Sequence, residues 1–180
     1  MTSKHFDPFN DRLARDIRNT LSEALAAQLA ELDLTPVHRA ATTWTATDLA
    51  PTYRAYIDDR LARYERAFAI IRARGVNTPF QAALILWDEA LFFEFHEILE
   101  ELWLQAEGAE KQALQALIRA SGVYVHLAEG HMDAARSMAD KAAAGLAAHG
   151  HALPAPMDCS PLILALTRLD ASPPRLASTG

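Results

Sequence analysis

His96, Glu97 and Glu100 fall within five consecutive positions of an acidic stretch, Phe92 to Trp103, where imidazole and carboxylate groups come close together in the sequence. On a helix each residue advances by roughly 100°, so His96 and Glu100 lie one above the other, with Trp103 on the same side one turn further along. Glu97 and Glu101 form a second pair, offset by about 100° from the first. The apolar set Phe92, Phe95, Leu99, Leu102 and Trp103 defines the predicted buried face and leaves His96 and Glu100 at its edge, half dry. Imidazole and carboxylate are good ligands for zinc, manganese, iron or nickel, and the i, i+4 spacing lets two of them reach one divalent ion. Two ligands are too few, so His126 or Glu97 has to supply a third, with water in any open position.

A second polar line supports a shared site. Gln115, Arg119, Gly122 and His126 recur at i, i+4, i+7 and i+11 on a helix whose other positions are mostly apolar. If this helix and the acidic one form an antiparallel hairpin across Glu107-Gly108-Ala109, the line faces His96 and Glu100, where buried polar groups need partners. The predicted site therefore has His96, Glu100 and His126 as metal ligands, with Glu97, Trp103, Gln115 and Arg119 in contact with a small ligand. Two other readings use the same residues. A guanidinium beside the carboxylates repels a cation, so Arg119 turned toward Glu100 would make the cluster a structural ion-pair network within a helical scaffold that binds another protein. Arg119 and His126 are also separated by six residues, a spacing that resembles the Arg and His element of HEPN-type ribonucleases, where His serves as acid or base and Arg holds phosphate.

The run Phe93-Glu94-Phe95-His96-Glu97-Ile98-Leu99-Glu100-Glu101-Leu102-Trp103 resembles the DUF309 family, small all-helical proteins marked by His-x3-Glu-x2-Trp or Tyr, here His96, Glu100 and Trp103. The resemblance continues through Leu114-Gln115-Ala116-Leu117-Ile118 to His126, Gly130 and Ala134-Ala135, and covers roughly residues 80 to 148. It implies an all-helical core and a metal-binding role for the motif, without an established reaction. Arg119 stands where the family tends to carry an uncharged polar residue.

The elements that must position these residues are helices. Leu13, Ile17, Leu21, Ala24 and Leu25 mark one amphipathic helix from about Asn10 to Leu32. Residues 35 to 47 read as a connecting loop, because Thr42-Thr43-Trp44-Thr45 is β-prone but short. A long helix follows, with Thr47-Asp48 as N-cap side chains, Pro51 in its first turn and Gly75 as its stop. Thr78-Pro79 begins a buried helix that breaks near Asp88-Glu89-Ala90. Gly108 is expected to end the acidic helix, Gly130 the next, and Gly150 a third that begins near Met132. Beyond Ser172 disorder is expected. The fold class is thus all-α, a helical bundle built around an antiparallel hairpin, with an N-terminal helical extension over residues 1–78, a core over 79–150 and a Pro-rich tail with one short helix over 151–180. The extension is expected to pack on the core.

The chain has 180 residues, 51% of them hydrophobic, and a net charge of −6, which opposes binding to a phosphate backbone; no nucleic-acid partner is expected. No apolar run approaches the roughly 18 residues that span a bilayer, no signal-peptide core is evident, and Cys159 stands alone, so a cytoplasmic protein without membrane contact is expected. The apolar surface of the N-terminal helices and Trp44 suggests a homodimer.

Overall fold

The computed structural model describes residues 5–177. Among them are eight α-helices and no strand, so the chain is all-α as its periodicity indicates. None of the helices is long and apolar enough to cross a membrane. The chain divides at Gly75 into two compact units.

The first unit holds α1 (Arg12–Ala26), α2 (Thr35–Thr45) and α3 (Pro51–Arg74). Asp11 starts α1: one carboxylate oxygen accepts from the amides of Leu13 at 2.9 Å and Ala14 at 3.4 Å. Its other oxygen accepts from the Tyr53 hydroxyl of α3 at 2.5 Å, so one side chain both caps a helix and ties two together. Ala14, Ile17, Leu21 and Leu25 form the buried stripe. Residues 27–32 are turns rather than the end of a longer helix, and Leu32 adopts a left-handed φ of 53°.

The segment expected to be a loop is helix α2. Pro36 is tolerated in its first turn, and Val37 and Ala41 give it a buried face. Its threonines fit because Thr42 and Thr43 turn their hydroxyls back onto the carbonyls of His38 and Arg39, at 2.8 and 3.1 Å. Helix α3 starts from Ala50 instead of Thr47 or Asp48, and ends at Gly75, whose φ of 63° provides the left-handed cap.

The second unit contains α4 (Pro79–Asp88), α5 (Phe92–Gln105), α6 (Gly108–Ala128), α7 (Met132–His149) and α8 (Ser160–Arg168). Thr78 caps α4 through the Gln81 amide, and seven of its residues are buried. The break before α5 is a left-handed Ala90, with φ 56°, after which the Leu91 amide reaches back to the Leu86 carbonyl at 2.9 Å. Gly108 does not end α5, which stops at Gln105; with φ 56° it opens α6. Helix α6 is central, packed on α5 and most extensively on α7, and α8 packs on α7 in turn. Past α8 the described residues up to Ala177 are not loose as expected beyond Ser172, and the rest of that stretch, residues 178–180, lies outside the described residues. Residues 174–177 return to the end of α4, where the Trp87 indole donates to the Pro174 carbonyl at 2.9 Å.

A candidate metal centre on one turn of α5

Helix α5 places Phe95, Ile98 and Leu99 in the core and sets the solvent boundary through His96 and Glu97. Its buried stripe differs from the predicted one by about a residue's rotation. Phe92, Leu102 and Trp103 are half-buried, whereas Glu94, absent from that prediction, is 1% exposed. The helix carries Glu94, Glu97, Glu100 and Glu101 and no Lys or Arg, so it is strongly acidic.

His96, Glu97 and Glu100 come together here. One ligand atom from each lies within 4.8 Å of the other two. The His96 Nε2 to Glu100 Oε2 distance is 3.7 Å, with the two side chains 35% and 53% exposed. The Phe93 ring lies parallel to the imidazole, at 5° and 6.5 Å between centroids. The turn presents two carboxylates and an imidazole at a wall that is apolar behind and open to water in front.

His126, expected to be a third ligand, is turned to His131, with 3.4 Å between their Nδ1 atoms, and is not in the group formed by His96, Glu97 and Glu100. His131 is half-buried, because Gly130, at φ 74°, folds the chain back so that the His131 amide bonds to the His126 carbonyl at 2.9 Å. Gly122, in the middle of the polar line, faces Met138 of α7. Gln115 and Arg119 are half-buried, and among the described residues neither side chain makes a hydrogen bond or ion pair. Arg119 therefore does not supply the cation of the expected ion-pair network. Trp103 follows the cluster by one turn and has the Lys111 ammonium over its ring at 4.4 Å.

Comparison with known families and proteins bears on this geometry. Residues 80–138 match DUF309, a domain of unknown function. The match bears out the family read from His96, Glu100 and Trp103, and it runs from α4 to the first half of α7. Neither the curated proteins nor the solved structures give a match. The DUF309 segment thus contains the whole α5 cluster together with the His126 and His131 pair.

Burial, and then the neighbouring His131, hold the His126 imidazole below its ordinary value of 6.5. A histidine depressed in the folded state stabilises the fold above its unfolded pKa and loses that contribution as pH falls through the folded value. Stability should therefore decline from about pH 7 to about pH 5, and the decline should be shallower in His126→Gln. Urea unfolding at the two pH values for both proteins measures this.

Proposed function

We propose that His96, Glu97 and Glu100 form a divalent-cation site and that the DUF309 segment serves as its scaffold. The observation that carries the proposal is the convergence of one nitrogen and two carboxylate ligand atoms within 4.8 Å on one helical turn. Ligand atoms around a single zinc-like ion stand roughly 3–4 Å apart, so closing the set takes a rotamer adjustment of the exposed Glu100 and a smaller one of the half-buried Glu97. The donor chemistry fits zinc, manganese, iron or nickel, with the imidazole favouring these over magnesium or calcium. A bound ion would supply Lewis-acid character at a solvent-facing position. His96 would fix it against the apolar wall while Glu97 and Glu100 neutralise its charge.

The test is a titration of zinc and manganese into the untagged protein. About one equivalent should bind, and His96→Ala or Glu100→Gln should weaken binding by about tenfold or more. Affinity should also fall steadily as pH is lowered, because protons compete for the same atoms.

A structural ion pair is the second reading, and it makes the opposite prediction. A half-exposed i, i+4 pair contributes only about 0.3–0.5 kcal/mol, so Glu100→Gln should leave stability nearly unchanged if the cluster is there to bind a cation. A loss above about 1 kcal/mol, with no cation bound by the parent protein, would replace the proposal with the structural reading.

A further inference from the structure

The end of α4 is completed by a segment almost ninety positions away in sequence. Asp88, whose side chain is 2% exposed, accepts at one oxygen from the Leu176 amide at 2.7 Å. Its other oxygen accepts from the Ala177 amide at 3.3 Å and from the Arg175 guanidinium at 3.2 Å. Beside it the Trp87 indole N–H donates to the Pro174 carbonyl at 2.9 Å. Leu176 is buried and Arg175 faces solvent, with 65% of its side chain exposed.

We infer that Trp87 and Asp88 form a seat that reads an extended peptide of Pro-Arg-apolar sequence, and that the chain fills this seat with its own residues 174–177. Nearly every feature of the contact is one by which a peptide in trans would be recognised. An aromatic N–H takes the carbonyl of a proline, a carboxylate takes two successive backbone amides, and the same carboxylate selects a cationic side chain at the position between. The preceding prolines, Pro173 and Pro174, pre-order the segment in an extended form and lower the entropy lost on docking.

Charge argues for the same occupant. Asp88 lies at the C-terminal end of α4, where the helix carbonyls already make the potential negative, so a carboxylate there needs donors from outside the helix. A buried carboxylate stripped of such donors is costly, and only a segment with the same donor pattern can take the place of the tail. The seat also has room beside it. Arg175, Leu176 and Ala177 line a cleft of about 760 Å³, to which Leu153, Pro154 and Met157 contribute apolar surface.

The experiment uses the full chain carrying Arg175→Glu, which sets a second carboxylate against Asp88 without touching the helices. Protection of the Leu176 amide from hydrogen exchange should fall by about tenfold or more, and the Trp87 indole N–H resonance should move from its native position. A synthetic peptide of the native residues 171–180 should then return that resonance saturably, whereas the same peptide carrying Arg175→Glu should not. The inference is overturned if the Arg175→Glu tail stays as protected as the native one, if neither peptide acts at millimolar excess, or if both act alike. If Arg175→Glu loses helical content, the full chain with Asp88→Asn, which keeps the shape of the seat and removes its charge, decides instead. Native helical content with the same loss of Leu176 protection supports the inference, and native protection or a loss of helical content overturns it.

Discussion

Trp87→Ala should lower the unfolding free energy of the unit that begins at Val76 by about 3–5 kcal/mol, the range for truncating a fully buried aromatic residue. Trp87 is 1% exposed and meets the rings of Phe92, Phe95 and Tyr124 edge-on, with centroids 5.1, 5.1 and 5.3 Å away. Each such ring pair adds about 0.5–1.5 kcal/mol to the area it buries, so one truncation removes three pairs as well as the bond to Pro174. Trp87→Phe keeps most of the packing and loses the indole donor, and should cost about 1–2 kcal/mol. Urea unfolding of the two variants compares them, and a loss below 1 kcal/mol for alanine would mean that the three rings collapse into the space. The same cluster sets an alkaline limit. Burial, and then the Asp170 carboxylate, push the Tyr124 hydroxyl up to about 12 from 10, so its neutral form supports the fold below pH 10 and that support is lost as pH rises toward 12.

Local signals in the sequence carried most of the helical architecture. Thr78-Pro79, Gly75 and Gly130 mark helix ends for reasons confined to a few neighbouring residues, and the structure places ends at all three. Helix α2 was missed because threonine was weighed by its β-propensity, while the back-bonds of Thr42 and Thr43 depend on a helix already being formed. Gly108 was assigned to the wrong helix because a left-handed glycine fits on either side of a two-residue connection, here Ala106 and Glu107. At the site, His96 and Glu100 were legible because i, i+4 spacing is local. The pairing of His126 with His131 depends on how the chain turns at Gly130, and the seat at Trp87 and Asp88 depends on residues 87 to 89 positions later, so no periodicity could reveal it.

The packing of α6 on α7 can be tested through two glycines for which substitution has opposite consequences. A methyl group at Gly122 would lie 2.6 Å from the Met138 Cε, and one at Gly145 would lie 2.8 Å from the Ala116 Cβ. The first contact is slightly shorter, yet it involves the free end of a flexible side chain that can change rotamer. The second involves an atom fixed to the backbone of the facing helix. Replacing a helical glycine by alanine gains about 0.8–1 kcal/mol of helix propensity, and overpacking a core typically costs about 1–3 kcal/mol. For Gly122→Ala the gain should roughly balance or exceed the strain, leaving stability within about 0.5 kcal/mol of the parent or above it. For Gly145→Ala the helices have to separate along their whole contact, so a net loss of about 1–2 kcal/mol is expected. Gly145→Val, whose branched side chain has few rotamers on a helix, should lose about 3 kcal/mol. Denaturant unfolding of the three variants ranks them, and equal losses at positions 122 and 145 would show that side-chain mobility does not control close approach between these helices.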